Sequence, residues 1–565
     1  MICDQTGSIR RFYHRRDDGY VYDMTRRPLE GRLLFLLVLL AAAGLRLWVL
    51  QQSHSIPDGD EAVVGMMALR LVTRGEFAPF FYGQPYMAPA DAWIAAPFMA
   101  LFGGSGWLKA GPLLWSVALV GLNGLLASLL FKNARAGAVA ALLTAFPPLY
   151  FLVNNLRTLA SFGLTLVLGD LLLLLAYRLV FHPVRPAPRR AFLLWGALGL
   201  VAGFGFYALW LVALYYVPVF FYLFLKDRAF FLRREFGLFI MGFGLGSLPF
   251  WLYNFSHNFE TFRYFFAPKP GGARIPASAV ADFFFTESLP LVIGARQYWF
   301  PTSWRIALAL TVIWLAIIAG FLVIPRRGWL GWFRLSLADA QPVDMLLLFV
   351  LFVPVIFIFS GIGRNAFALP GADTTGRYLL PLMALAPVLA GGALARLTAR
   401  PAGRVMAILG LAALLLGGMW PYRYADWVAV FQSPYYASLR PPLDNRPVVD
   451  YLRSQGIEYP TCNHWVGNRL MLEAEETVKC VDYYDVIVQH GPDRFPEYTR
   501  AIQEPGRRIG FVLVNPSGSP TPLEARLREL AVDFTRRDFP PYTIIIPTSR
   551  NVAPGEVANA LGYPY

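Results

Sequence analysis

The sequence predicts an α-helical polytopic membrane protein with about eleven transmembrane helices and additional interfacial helices, followed by a small α/β domain. The 565-residue chain is 56% hydrophobic and 15% charged, with a mean hydropathy of +0.47. Long apolar stretches of this kind mark membrane-spanning helices, and short basic clusters separate them. After residue 420 the apolar stretches stop, and a segment with ordinary charge density and turn residues begins.

The distribution of charge argues against a nucleic-acid partner. The net charge is +14, yet residues 421–565 contain 15 Lys and Arg against 17 Asp and Glu, a net of −2. The basic excess therefore lies between the apolar segments, where the positive-inside bias places it. We expect membrane lipid as a partner, and no nucleic acid.

The polar, arginine-rich residues 1–32 predict a cytoplasmic tail that leads into an uncleaved anchor. The patch Ala88–Gly103 is short and contains two prolines, which favours a helix at the interface over a crossing. With every basic cluster kept inside, the eleven spans are 33–50, 107–131, 136–153, 162–177, 191–206, 209–225, 236–253, 306–324, 343–360, 378–395 and 405–420.

This topology predicts a multi-pass protein of the bacterial cytoplasmic (inner) membrane, with its amino end in the cytoplasm and its carboxyl end outside. The predicted regions are a tail (1–32), a transmembrane domain (33–420, first outer loop 51–106) and an extracytoplasmic α/β domain (421–565). In the last region, Ile509–Val514 and Tyr542–Ile546 have the composition of strands, and Val448–Ser454 and Leu523–Leu530 have helical spacing.

Asp58, Asp60 and Glu61 form an acidic cluster just beyond the first span. Ionisable groups at membrane depth are costly, so they indicate function by default. The alternative is that Asp58 or Asp60 caps a helix, but a cap would occupy only one of the three acids. Apolar residues at helical spacing follow the cluster, so we expect an amphipathic helix lying on the membrane surface.

Outer-facing cationic side chains could bind a lipid-linked phosphate, because guanidinium holds phosphate through two hydrogen bonds. For each of them, the alternative is an interfacial anchor that snorkels to water. Arg377 stands out because it opens a span, in the run Gly376–Pro381. The candidates are Arg377, Arg364, Arg157, Lys269 and Arg274.

Two stretches carry a family pattern. Residues 60–89 contain Asp60-Glu61-Ala62, Arg70 with Gly75, Gly83-Gln84-Pro85-Tyr86 and Ala88-Pro89, and residues 376–387 read GRYLLPLMALAP. The first stretch resembles the first outer loop of the GT-C glycosyltransferases, and the second is similar to the late-span signature of their bacterial members. The resemblance is strongest to the family 39-like branch of protein O-mannosyltransferases and lipid A aminoarabinose transferases, and it covers roughly residues 33–400.

The resemblance implies that a sugar passes, with inversion, from a polyprenyl-phosphate donor to an extracytoplasmic hydroxyl of a glycan, lipid or protein acceptor. It also implies that Asp60 is the catalytic carboxylate. Relatives often carry a lysine where this chain has Ala88, so the donor phosphate contact is expected from Arg157 or Arg377. The full prediction is a catalytic set of Asp60, Asp58 and Glu61, a donor phosphate-binding set of Arg377, Arg157, Arg364 and Lys269, and a substrate-binding set of Tyr86, Arg70 and Tyr378.

A cofactor is not required by this prediction. Some family members use a divalent metal, but many relatives place a second acid in the next outer loop, where residues 154–161 of this chain have none. Asp58 and Asp60 are the side chains that could ligate a metal through hard oxygens. In the exported part, Cys462 and Cys480 predict either a disulfide or two buried thiols.

Two other classes of protein are open alternatives: a transporter or flippase of lipid-linked saccharides, and a non-catalytic envelope assembly protein. A transporter should carry mid-span charges and repeated halves, whereas this chain concentrates its polar groups in outer loops and shows no internal repeat. The polar and aromatic run Asn463–Arg469 could contact an acceptor, although ordinary core and turn use is the favoured interpretation of it.

Overall fold

A computed structural model describes residues 13–16, 19–22, 29–183, 187–266, 275–322, 335–337, 340–368, 371, 374–398, 401–432 and 441–561. Strands β1 (Tyr13–Arg16) and β2 (Gly19–Tyr22) form an antiparallel hairpin in the amino-terminal tail. From there to residue 419 the described regular structure is helical. The remaining strands, β3 (Thr461–Cys462), β4 (Phe511–Val514), β5 (Phe534–Phe539) and β6 (Tyr542–Pro547), lie near the carboxyl end.

The α-helices are numbered in chain order. They are α1 (Leu29–Gln52), α2 (Gly59–Arg74), α3 (Ala90–Phe102), α4 (Ala110–Leu130), α5 (Ala134–Ala145), α6 (Leu149–Leu156), α7 (Phe162–Val180), α8 (Pro188–Ala208), α9 (Ala213–Lys226), α10 (Arg234–Gly246), α11 (Leu248–Ser256), α12 (Glu260–Phe266), α13 (Ala277–Phe283), α14 (Leu289–Val292), α15 (Trp304–Leu322), α16 (Pro342–Phe359), α17 (Gly361–Ala368), α18 (Thr374–Arg377), α19 (Leu380–Leu397), α20 (Pro401–Met419), α21 (Arg446–Ser454), α22 (His464–Glu473), α23 (Pro496–Ala501) and α24 (Pro522–Glu529).

The predicted polytopic helical fold is confirmed. Among the described residues, eight helices are long and apolar enough to cross a membrane, and the bent pairs α5–α6 and α10–α11 raise the number to ten. The remaining predicted span, 209–225, coincides with α9 and the turn before it, Trp210–Lys226, an apolar helix of 17 residues at the lower end of the length that crosses a membrane. The patch predicted to be interfacial is the 13-residue helix α3, about 20 Å long at 1.5 Å per residue and so too short to span.

The bend between α5 and α6 is stabilised by Arg46, a charge buried in the first span. The two helices meet at 74°, because Pro147 and Pro148 cannot continue the helix. The Arg46 guanidinium donates to the carbonyl oxygens of Thr144 (3.0 Å) and Ala145 (2.8 Å). These are carbonyls that a helix end leaves unpaired, and a cation suits that end of the helix dipole. Arg46 therefore has a structural role.

The carboxyl-terminal residues 441–561, here called the C-terminal unit, contain a four-stranded sheet in the order β3-β4-β6-β5. β3 pairs parallel with β4, and the other neighbours are antiparallel. The helices and strands predicted there from composition match α21, α24, β4 and β6. A small α/β unit therefore follows the last membrane helix, as predicted.

The C-terminal unit covers α2, which corrects the expectation that this helix lies on the membrane surface. Ten of its residues are buried. Met66 and Met67 share a core with Leu472, Phe511 and Ile545 of the C-terminal unit. The apolar face that suggested membrane contact is therefore buried against protein.

Candidate active site

The three acids of the first outer loop have three different environments. Asp58 is the N-cap of α2, where its side chain accepts from the backbone N–H of Glu61 (2.9 Å) while Glu61 accepts from the N–H of Asp58 (3.1 Å). This reciprocal pair is a capping box. Asp58 therefore caps the helix, as the alternative interpretation expected, and Glu61 takes part in the same capping box.

Asp58 and Glu61 are also held by buried cations. Asp58 forms an ion pair with Arg157, and Glu61 forms one with Lys109; all four side chains are at most 3% exposed. Glu61 accepts a further hydrogen bond from the backbone N–H of Thr158 (2.6 Å). Because a buried charge needs this kind of compensation, these two acids serve the structure of the loop. A catalytic role for Asp58 and Glu61 stays a prediction.

Asp60 is the acid that faces open space, with 26% of its side chain exposed. It lines a cleft of about 540 Å³ empty volume between the first outer loop and the ends of the membrane helices. The lining residues are Asp60, Phe81, Gln84, Tyr86, Met87, Thr158, Leu159, Ala160, Phe162, Leu209, Arg377 and Tyr378.

The cleft lies at one face of the predicted membrane. Phe162 begins the span α7, Leu209 directly follows the end of α8, and Arg377 comes three residues before the span α19 begins. Helix ends that meet in one cleft must lie at one side of the apolar layer. The cleft therefore lies where these membrane helices end on one side.

Arg377 supplies the positive charge of the cleft. Its guanidinium carbon lies 5.2 Å from the ring centre of Phe162 and 5.4 Å from that of Tyr378. Tyr150 fixes the preceding backbone, because its hydroxyl oxygen accepts from the N–H of Gly376 (3.0 Å), where a Cβ would lie 2.7 Å from the tyrosine ring. The buried Nε of Arg377 has no hydrogen-bond partner among the described residues, so this N–H is available to donate to a ligand.

Two residues of the C-terminal unit contact Asp60. His464 Nε2 lies 3.2 Å from Asp60 Oδ1, and Arg494 Nη2 lies 3.4 Å from the same oxygen. Burial acts to raise the pKa of Asp60, but the hydrogen bond from His464 and the charges of Arg494 and Arg377 outweigh it, so the pKa lies well below its usual range. Asp60 is therefore an ionised carboxylate at neutral pH.

The structure brings only some of the predicted ligand-contacting residues to the cleft. Tyr86, Tyr378 and Arg377 line it. Arg157 contacts Asp58 instead, and Arg364 is exposed on α17. The predicted phosphate contact Lys269, together with Arg274, lies outside the described residues.

Arg70 has a different role from the predicted one. It donates to Glu476 (2.8 Å), Glu497 (2.7 Å) and the hydroxyl of Tyr498 (2.8 Å). All three belong to the C-terminal unit, so Arg70 fastens that unit to α2. The prediction that Arg70 binds substrate stays a prediction; in this structure its guanidinium donates to protein groups.

The side chains considered for a metal site and for a disulfide, among them Asp58, Cys462 and Cys480, lie within the described residues. Among the described ranges, no group of three or more His, Cys, Asp or Glu side chains could hold a metal ion, and Asp58 is occupied by Arg157. Cys462 and Cys480 are buried free thiols in this structure. They lie on the same side of Gly467, where a Cβ would be 2.9 Å from the Cβ of each cysteine. Burial and the hydrogen bond with Cys480 raise the pKa of Cys462 well above its usual value.

The contacts of His464 and Arg494 with Asp60 were not predicted. His464 falls in the run Asn463–Arg469, whose polar and aromatic composition is compatible with acceptor contact but favours core and turn use. Arg494 had no signal, because a contact across 434 residues leaves no local pattern.

Comparison with solved structures identifies the class of fold. The chain is similar to ArnT from Cupriavidus metallidurans in the apo state, with a TM-score of 0.58 and 15% identity over 95% of this chain and 99% of that chain. Similarity to the same protein bound to undecaprenyl phosphate gives a TM-score of 0.57 and 16% identity, over 95% and 100%. The chain therefore shares the polytopic membrane fold of ArnT, which is the fold class that the sequence resemblance implied.

A third similarity is weaker. The apo oligosaccharyltransferase from Archaeoglobus fulgidus gives a TM-score of 0.49 and 14% identity, over 86% of this chain and 70% of that chain, which is too low to support an argument. Neither a protein-family model nor a curated protein sequence matches the chain.

Proposed function

We propose that the protein is an integral membrane glycosyltransferase that moves a sugar from a polyprenyl-phosphate donor to an acceptor hydroxyl outside the cytoplasmic membrane. The observation that carries this proposal is the placement of Asp60 and Arg377 in one cleft at the end of the membrane helices. A base and a phosphate-binding cation are the two groups that such a transfer needs. The fold shared with ArnT supports the same proposal.

In the proposed reaction, an acceptor hydroxyl oxygen attacks the anomeric carbon, and its proton passes to the carboxylate of Asp60. The bond between that carbon and the donor phosphate oxygen breaks, and its electron pair stays on the phosphate. A single displacement of this kind inverts the anomeric carbon. General base catalysis typically contributes about 10²–10⁴-fold to such a rate.

Arg377 would bind the donor phosphate and stabilise the charge that it gains as the sugar leaves. Its position just before α19 supports a contact with a phosphate whose polyprenyl chain would extend into the bilayer. ArnT in its complex binds undecaprenyl phosphate, and we extend that class of ligand to this chain as part of the proposal. Tyr86 and Tyr378 line the cleft and would contact the sugar or phosphate.

The test uses purified full-length protein and a panel of polyprenyl-phosphate sugars, scored for release of lipid phosphate and for acceptor labelling. Release with at least one sugar supports the proposal. Movement of intact donor across a vesicle membrane, without cleavage, would instead support the flippase alternative. If the protein neither cleaved nor moved the donor, the assembly role would be the remaining alternative, and the proposal would be overturned.

A further inference from the structure

The C-terminal unit reaches into the site at a single oxygen of Asp60. His464 is the first residue of α22, and Arg494 lies just before α23; both point to Oδ1, at 3.2 and 3.4 Å. Among the residues that the structure describes, Oδ2 has no hydrogen-bond partner, although Asp60 lines the cleft. One carboxylate oxygen is thus held and the other is available to a substrate.

Asn468 sets the direction of the hydrogen bond from His464. The amide nitrogen Nδ2 of Asn468 lies 3.1 Å from His464 Nδ1 and 3.3 Å from the carbonyl oxygen of Gly59. Since Nδ2 can only donate, Nδ1 accepts and the imidazole carries its hydrogen on Nε2. His464 therefore donates to Asp60. The two hydrogen bonds run in one direction, from Asn468 to His464 and from His464 to Asp60.

Arg494 is fixed independently of His464. Its Nη1 donates to the carbonyl oxygen of Tyr82 (2.7 Å), and its guanidinium carbon lies 4.7 Å from the ring centre of Phe81. Only 10% of its side chain is exposed. Because the loop holds this guanidinium on two sides, its contact with Asp60 needs little reordering.

Helix α22 packs closely against α2 at Gly59, and this packing fixes the position of His464 relative to Asp60. A Cβ on Gly59 would lie 2.7 Å from Trp465 Cα and 2.9 Å from the carbonyl oxygen of His464. A side chain at position 59 would therefore push the imidazole away from Asp60. At the far end of α2, Arg70 bonds to Glu476 and Glu497, so the C-terminal unit is fastened at both ends of the helix.

We propose that His464 and Arg494 are positioning residues through which the C-terminal unit orients the base, holding Oδ1 of Asp60 so that Oδ2 faces the substrate. This inference rests on the proposed function for its catalytic consequence. Catalytic groups are effective only when neighbouring hydrogen bonds lock their geometry. The transferase would then be assembled only when its C-terminal unit is docked.

The test compares full-length His464→Ala and His464→Gln with wild type, using His490→Asn as a control at an exposed histidine of the same unit. His464→Ala should lower kcat roughly ten- to hundredfold, the usual weight of a hydrogen bond to a charged group, with KM for the donor little changed. His464→Gln should recover much of kcat, because a glutamine amide can donate from nearly the same place. Arg494→Ala should behave like His464→Ala, with the exposed Arg500→Ala as its control.

A second measurement reads the contact without any sugar transfer. Thermal unfolding of Asp60→Ala, His464→Ala and the double variant should show non-additive shifts in the unfolding midpoint, because the two side chains interact. Additive shifts, or unchanged kcat in His464→Ala, would overturn the inference. If wild type cleaved no donor, the proposed function would fail. The unfolding midpoints of the single and double variants would still show whether His464 interacts with Asp60.

Discussion

At the scale of single residues, three neighbouring acids acquire different roles because helix geometry separates them. Asp58 and Glu61 stand three positions apart, on the same side of the first turn, where they cap the helix and meet Arg157 and Lys109. Asp60 is turned by about 100° from its neighbour, into the cleft. A single turn thus combines two buried structural carboxylates with one accessible carboxylate.

The charges around Asp60 predict how activity depends on pH. The hydrogen bond from His464 and the charges of Arg494 and Arg377 together hold the pKa of Asp60 well below its usual range, against the effect of burial. A base acts when ionised, so wild type should show no acidic fall in kcat/KM from Asp60 near neutral pH. Arg494→Ala removes one charge and raises that pKa, so the acidic fall should move to higher pH.

The measurement is the pH profile of kcat/KM for lipid-phosphate release by the two proteins. Arg500→Ala, which removes an exposed arginine of the same unit, should retain the wild-type profile. An Arg494→Ala profile that coincides with wild type would mean that Arg494 does not influence the base.

At the scale of elements, helix α2 carries Asp60 and determines its position in the site. It is fixed at its amino end by the capping box and two buried ion pairs, and along its length by the core that it shares with the C-terminal unit. Arg70 and Arg74 bind Glu476 near its carboxyl end. An amphipathic pattern alone could not distinguish this burial from contact with a membrane, because both environments favour the same apolar face.

Lys109→Met should destabilise the protein strongly. Glu61 is fully buried, and Lys109 is its ion-pair partner. Removing one member of a buried pair leaves an uncompensated charge, which costs about 3–5 kcal/mol. We expect a clear fall in the thermal unfolding midpoint in detergent, whereas Arg189→Met at an exposed position should change the stability by about 0.5 kcal/mol or less. Equal midpoints for the two variants would contradict a stabilising role of this pair.

At the scale of the whole molecule, the site lies where the membrane helices, the first outer loop and the C-terminal unit meet. Asp60 comes from the loop, Arg377 from the start of a late span, and His464 from the carboxyl-terminal region. Because Asp60 contacts His464 and Arg494, residue 60 and the C-terminal unit lie on the same side of the membrane, and the proposed function needs that side to be extracytoplasmic.

Labelling tests that orientation. Ser517 is exposed in the C-terminal unit, so a Ser517→Cys variant should react with a membrane-impermeant maleimide added to intact spheroplasts. The substitution is made in a Cys3→Ser background, whose remaining cysteines, Cys462 and Cys480, are buried, and Cys3→Ser alone is the matched control. Reaction only after the spheroplasts are lysed would place the C-terminal unit in the cytoplasm and contradict the proposed topology.

Much of the fold was predictable because its signals are local. Apolar length and flanking arginines mark the spans, and the family-like motifs lead to Asp60 and Arg377. The Lys, Arg and His partners of Asp58, Glu61 and Asp60 were not predictable in this way, because each of these contacts joins segments that are 48 to 434 residues apart. Such pairs depend on packing, which hydropathy and spacing do not describe.

The most direct test of the central claim is lipid-phosphate release by Asp60→Asn. This substitution keeps the shape of the side chain and removes its basic carboxylate. The account predicts that transfer is abolished while membrane insertion and protein abundance remain at the wild-type level. Wild-type transfer by Asp60→Asn would contradict the account, because no base would then be needed at the position on which the site is built.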